Sequence, residues 1–280
     1  MSELYLEMAG VRIRVDSDSP VTLRLLEDYT VAPGHADHGF SVRLLPALEG
    51  HTGTRVYDGD DRQIYLDGDR LLTYQGETQC PYLRGIRQGE NAVLEFLEEK
   101  LPQGITGKLL LNGIDLPHLL AIHHGFLLHA SFIEHEGGAI LFTAPSETGK
   151  STQARLWCEH MGAELINGDR AAVRIGDNGV MACGTPFAGS SDVRKNRTLP
   201  LKAIVYLTQA PENAVTRLRG VRAFRRVWEG CTVNTWDRDD MEKATKTVSE
   251  VISRVPVYHL ACTPDRGAVE ALKHTMEVEA

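Results

Sequence analysis

The chain has 280 residues, enough for one large or two modest domains, each with a core of its own. Hydrophobic residues at 42% and charged residues at 24% give the balance of a soluble globular protein, and no apolar run nears the roughly 18 residues of a membrane span. A formal charge of −8 speaks against a nucleic-acid partner held through its phosphates.

Within residues 1–75 apolar and polar residues alternate, as in Val11–Val15, Phe40–Leu44 and Gln63–Leu66, which predicts strands. Turns are expected at Asp58–Asp61 and Asp67–Asp69. A helix is expected over Asn91–Leu101, where Val93, Phe96, Leu97 and Leu101 would share a face, and the break at Pro102–Gly104 closes the first region. This reading gives a β-rich region over 1–104, a natural place for substrate recognition, and a second domain over 105–280. The second region opens with Leu109–Leu111, a helix from Asp115 to His123 and a strand over Phe126–Ile133. A strand at Ala139–Phe142 then runs into a loop and a helix with Ala154, Trp157, Cys158 and Met161 on one side. Short strands follow at Ala163–Ile166 and Ala171–Ile175, with a hairpin turn at Asp177–Gly179 and a strand at Ala203–Leu207. So few helices separate these strands that a plain doubly wound sheet is not expected. The end reads as a helix over Asp240–Arg254, a strand over Val257–Ala261 and a last helix capped by Thr263 with Pro264 at its first position.

The loop is the most informative segment: Ala144-Pro-Ser-Glu-Thr-Gly-Lys-Ser-Thr152. A strand, a small-residue turn and a helix in that order aim backbone N–H groups and the positive helix end at one spot, where polyphosphate can sit. The pattern G-x-x-x-x-G-K-[ST] is met at Gly149-Lys150-Ser151, but Ala144 stands in place of the first glycine and Glu147 where many such loops carry glycine. Ser146, Glu147, Thr148, Gly149, Lys150, Ser151 and Thr152 form the candidate nucleotide-binding stretch. Lys150 would reach the β- and γ-phosphates and Ser151 would offer its hydroxyl to Mg²⁺. The plain alternative is a Ser/Thr-rich helix start with an ordinary lysine.

Three further features stand around the loop. Asp169 follows the apolar pair Leu165-Ile166 through Asn167-Gly168, and it would bind Mg²⁺ or take a proton from an attacking hydroxyl. Its competing reading is a turn residue paired with Arg170. His129 interrupts the apolar strand before the loop. The segment Gly184-Thr-Pro-Phe-Ala-Gly-Ser-Ser191 lets backbone approach a ligand, and Arg194 and Arg197 after it suit phosphate or carboxylate. Eleven histidines are scattered without H-E-x-x-H or zinc-ribbon spacing, and His123-His124 reads as structural or surface. Cys80, Cys158, Cys183, Cys231 and Cys262 are never spaced C-x-x-C and read as reduced packing residues. The first residues lack a signal-peptide pattern, so a cytoplasmic location is expected.

In order along the chain, His129-Ala130, Gly149-Lys150-Ser151, Asp169 and the Gly184–Gly189 loop resemble the HPr kinase/phosphorylase and ATP-dependent phosphoenolpyruvate carboxykinase superfamily. The chain looks closest to the HPr-kinase-related proteins of bacteria, over roughly residues 105–280. The resemblance implies an α/β (α+β) fold, a kinase core on a mixed, strongly bent β-sheet with a phosphate loop. It implies Mg²⁺-dependent transfer of the γ-phosphate of ATP to a hydroxyl, of Ser or Thr in a peptide or small protein or of a small-molecule alcohol. It casts Lys150 on the β- and γ-phosphates, Ser151 as a magnesium ligand, Asp169 as metal ligand or base, and His129 as a neighbour of the catalytic carboxylate. Family kinases form oligomers, and related proteins look like accessories to peptide-modification systems. The chain departs from the pattern at Thr152, where HPr kinases carry glutamate, and at Gly168-Asp169, where they carry two aspartates. No segment for the reverse phosphorylase reaction is found, so HPr is a poor substrate candidate. A nucleotide-binding module that uses ATP as a switch is the second reading, and carboxykinase-like decarboxylation lacks an identified carboxylate pocket. GTP and pyrophosphate stay open as donors.

Overall fold

The computed structural model describes residues 2–50, 53–59, 62–75, 80–101 and 103–279. Met1–Leu116 and Pro117–Ala280 form two compact units. The expected turn at Asp58–Asp61 and break at Pro102 lie partly outside the described residues.

The first unit holds β1 (Ser2–Met8), β2 (Val11–Ser17), β3 (Val21–Thr22), β4 (His38–Leu45), β5 (Thr54–Asp58), β6 (Gln63–Asp67), β7 (Arg70–Tyr74), β8 (Leu83–Gln88), β9 (Asn91–Leu97), β10 (Ile105–Thr106) and α1 (Gly107–Ile114). Eight strands make one sheet in the order β1-β2-β4-β9-β8-β7-β6-β5, and β10 pairs with β3. In β2, Val11, Ile13 and Val15 are fully buried while Arg14 between them is exposed, the period-two pattern that the sequence displays.

Two expectations in this unit are corrected. Asn91–Leu97 is a strand followed by a short 3₁₀ turn at Glu98–Lys100, not a helix. Ala92, Leu94 and Phe96 are the residues buried with period two, and β9 is central, between β4 and β8. Leu97 is buried as well, so the apolar spacing of 93, 96 and 97 imitated a helical face. Leu109–Leu111 lie inside α1, and Asp115 in the left-handed region (φ 55°) ends that helix before α2 (Leu116–Ile122) begins.

The second unit continues with β11 (Gly125–His135), β12 (Gly138–Thr143), α3 (Lys150–Met161), β13 (Glu164–Asn167), β14 (Arg170–Gly176), β15 (Gly179–Gly184), β16 (Thr198–Gln209), β17 (Ala214–Leu218), α4 (Gly220–Trp228), β18 (Cys231–Thr232), α5 (Arg238–Arg254), β19 (Val257–Cys262) and α6 (Arg266–Val278). Its sheet is mixed. β12, β16 and β19 run parallel, while β11, β14 and β15 pair antiparallel. The long strands β11 and β16 change partners half-way: β11 pairs β14 up to His129 and β12 from Ala130, and β16 pairs β15 before it reaches β12 and β19. The pairings β11-β14-β15-β16-β12-β11 therefore close a ring.

Alternate residues feed two cores. Leu128, Ala130 and Leu141 face Val227 and Val248 of α4 and α5, whereas Ile140 and Phe142 face Trp157 and Leu272 of α3 and α6. At the C-terminal end, α5 is capped by Asp237, whose carboxylate accepts from the N–H groups of Asp239 and Asp240. Asp265, not Thr263, caps α6 by accepting from Ala268 N, so Pro264 lies outside that helix. α4 and β17 were not expected from the sequence. No helix among the described residues is long and apolar enough to cross a membrane.

Candidate active site

Thr143 ends β12, and the loop Ala144–Gly149 carries the chain to Lys150, the first residue of α3. Two residues in the loop have positive φ: Glu147 at 63° and Gly149 at 118°. Gly149 takes this conformation without a side-chain penalty, whereas Glu147 holds it at a cost of about 1 kcal/mol. No side chain caps α3. Within the loop, Thr148 N donates to Pro145 O at 3.4 Å, and among the described residues no backbone acceptor takes the N–H groups of Ser146, Glu147 or Gly149. An uncapped helix start next to free N–H groups is the physical make-up of an anion cradle.

Lys150 is buried, and its Nζ donates to Ala144 O at 3.0 Å and Pro145 O at 3.2 Å. Burial pulls its pKa below that of an ordinary lysine, and the negative charge of Asp169 works against that shift. Ser151 is exposed on the first helical turn beside Thr152, so a hydroxyl stands at the mouth of the cradle.

Asp169 is placed by a break between two strands. β13 and β14 both pair with β11, and Gly168-Asp169 interrupts them where β11 changes partners. Asn167, fully buried, fixes the break: its Oδ1 accepts from the N–H groups of Asp169 and Arg170, and its Nδ2 donates to Thr185 O. Ala130 N donates to Asp169 O at 2.9 Å, which puts the carboxylate next to His129. His129 Nδ1 lies 3.3 Å from Asp169 Oδ1, and Arg170 Nε lies 3.6 Å from Oδ2. The hydrogen bond from His129 holds the Asp169 carboxyl below the usual carboxylate range. Burial opposes this, and the charges of Arg170, His129 and Lys150 reinforce it. Asp169 is therefore both the centre of a charged cluster and a turn residue beside Arg170, so the two sequence readings coincide.

The Gly184–Ser191 segment closes over this cluster. Its small residues admit protein backbone: a Cβ on Gly189 would stand 2.9 Å from Asp169 Cβ, and one on Gly168 would stand 2.0 Å from Ser191 Oγ. Arg170 lies over the Phe187 ring at 5.4 Å. Arg194 forms a bridge with Asn167 and pairs with Asp192. Arg197 is held elsewhere, by Glu134 and Glu164. The structure thus brings His129, Asp169 and Lys150 together with the loop, and it ties Arg197 into a separate exposed ion-pair group.

Gly184→Ala is expected to destabilise the protein by about 1–3 kcal/mol, since the new Cβ would meet Lys195 O at 1.9 Å. Gly176→Ala on the same hairpin, with open space around it, serves as the control and should stay within about 0.5 kcal/mol in urea unfolding.

Sequence reasoning missed Asn167 as the organiser of the Asp169 turn, although an Asn-Gly-Asp run is its signal. It also missed a second cluster, in which His118 Nδ1 lies 2.7 Å from Asp240 Oδ1, Asn234 Nδ2 donates to Asp240 Oδ2, and Asp237 stands close by. Those bonds tie α2 to the start of α5.

The second unit is an α+β domain in which a strand, an uncapped loop and a helix meet a His-Asp pair. The chain belongs to the family described as SynChlorMet cassette protein ScmC, whose model matches residues 118–266, more than half of the chain. No curated protein matches. Among solved structures, the Hpr(Ser) kinase/phosphatase from Coxiella burnetii is similar at 12% identity with a TM-score of 0.33, covering 55% of this chain and 99% of that chain.

Proposed function

We propose that this chain is an ATP-dependent kinase that transfers the γ-phosphate to a hydroxyl, with Ser or Thr of a peptide or small protein as the acceptor. One observation carries the reading: a carboxylate held in its ionised form by His129 stands within electrostatic reach of the lysine that opens α3.

The donor set fits polyphosphate and a hard cation. The loop offers N–H groups, Lys150 an ammonium, and Ser151 and Asp169 oxygen ligands. When bound, Mg²⁺ neutralises charge on the phosphates. Lys150 exchanges its two loop carbonyls for phosphate oxygens and lowers the charge on the transferring group. Asp169 orients the acceptor hydroxyl and takes its proton as the new O–P bond forms and the bond to the β-phosphate oxygen breaks, releasing ADP. His129 holds Asp169 in place. Arg194 lies beside the same turn and suits an acceptor carboxylate or phosphate.

A nucleotide-binding module is the second reading, and the His129 and Arg170 contacts that already satisfy Asp169 favour it. The test is to incubate the full chain with Mg²⁺, γ-labelled ATP and a cell extract split into polypeptide and metabolite fractions. Label that reaches the polypeptide fraction and is lost in Lys150→Ala is the expected result. ATP binding without transfer to either fraction would establish the module instead.

A further inference from the structure

Beside the loop lies an open cleft of ≈ 370 Å³, lined by Pro145–Thr148 and Tyr206–Gln209. It is within the roughly 300–1,000 Å³ of small-molecule pockets. Its position follows from strand pairing. Asp169 O bonds to Ala130 N, Ala130 is in register with Thr143, and Thr143 with Tyr206. Asp169 and Tyr206 are thus the ends of one row across the sheet, three strand spacings or about 14 Å apart. The loop rises from the middle of that row, at the carboxyl ends of the parallel strands β12 and β16, where open sheets bind ligands. A phosphate chain bound over Lys150 with its terminal group at Asp169 directs its other end into the cleft.

The lining has the chemistry of a nucleoside site. Pro145, Tyr206 and Leu207 supply apolar surface, Thr148 and Gln209 supply hydrogen-bonding side chains, and Glu147 supplies its one carboxylate. A carboxylate at this point of an anion cradle is unfavourable for phosphate, yet the chain keeps Glu147 there at positive φ. Gln209 Nε2 reaches its carbonyl at 3.5 Å, which links the loop to the end of β16. Two adjacent hydroxyls are what a lone exposed carboxylate recognises well, since each O–H donates to one oxygen.

Resting on the kinase reading, we propose that this cleft is the nucleoside half of the site, with Glu147 accepting from the ribose hydroxyls and Gln209 meeting the base. The ligand class is a ribonucleoside triphosphate, bound with its terminal phosphate at Asp169 and its sugar at Glu147.

The test measures binding of ATP, 2′,3′-dideoxy-ATP and inorganic tripolyphosphate, each with Mg²⁺, to the full chain. ATP is expected to bind about tenfold tighter than the dideoxy compound. Glu147→Gln should remove most of that difference while changing tripolyphosphate affinity less than about twofold. Gln209→Ala, at an exposed position, should weaken ATP and spare tripolyphosphate in the same way. Equal affinity of the wild-type chain for ATP and dideoxy-ATP would overturn the proposal, as would parallel losses for ATP and tripolyphosphate in Glu147→Gln. Lys150→Ala separates the two claims. If it weakens ATP and tripolyphosphate together while the cleft variants change neither, the cradle stands and the nucleoside site falls. If none of the three probes binds, both fall.

Discussion

Lys150→Ala is expected to abolish phosphoryl transfer, with kcat/KM down by at least about 10³, while the protein stays folded. The ammonium of Lys150 is the cation held at the loop, and two carbonyls already position it there. Removing it takes away charge that the transition state needs, and Ser151 cannot supply it. The structural cost is small by comparison. Burial already disfavours the ammonium form, and the two carbonyls lie at a loop that water can reach through Pro145. A loss of about 1 kcal/mol is expected, read as a fall of a few degrees in Tm. Lys150→Met keeps most of the side-chain volume and should fold as well as the native chain while remaining inactive. Transfer at the native rate in either variant would sink the site assignment. The depressed pKa of Lys150 has a second consequence: in the free protein its charge is lost at a lower pH than for an ordinary lysine, and bound phosphate opposes that loss.

Asp169→Asn is expected to lower kcat by about 10²–10⁴ while changing ATP affinity only a few-fold, measured by single-turnover transfer and by equilibrium binding. Asparagine keeps the shape of the side chain and the backbone bond to Ala130, but it cannot take a proton and no longer balances His129 and Arg170. The stability of the native protein carries a matching signature. Because the folded pKa of Asp169 lies below its ordinary value of 3.8, its ion pairs stabilise the fold above that pH and are lost as pH falls through the lower folded value. The stability difference between the native chain and Asp169→Asn should therefore be constant near neutral pH and shrink under acid conditions below about 3.8. A difference that instead varied across neutral pH would show that His129, not Asp169, governs the linkage.

Local features were legible where one segment carries its own instructions. The loop helix begins at Lys150, within the stretch that the motif marks, and the alternation in Val11–Val15 is the alternation of burial in β2. The reading failed where neighbours decide. Asn91–Leu97 has apolar residues at both helical and strand spacings, and its place between β4 and β8 selects the strand. Thr263-Pro264 looks like a helix opening, yet Asp265 competes for the same role and its carboxylate reaches the Ala268 N–H. The glycines of the Gly184–Gly189 segment were read as room for a ligand, and Gly189 instead makes room for Asp169 itself.

The sequence by itself determined the parts: a strand, a loop and a lysine at a helix start, and a carboxylate on a tight Asn-Gly-Asp turn. Each depends on residues a few positions apart, whose spacing is written in the chain. Only the tertiary structure decided that His129 meets Asp169 forty residues later, that both stand within reach of Lys150, and that Tyr206–Gln209 face Glu147 across a cleft. Those meetings depend on which strands pair and in what register, above all where β11 and β16 exchange partners. Register is set by burying one face of every strand at once, and no single segment encodes it.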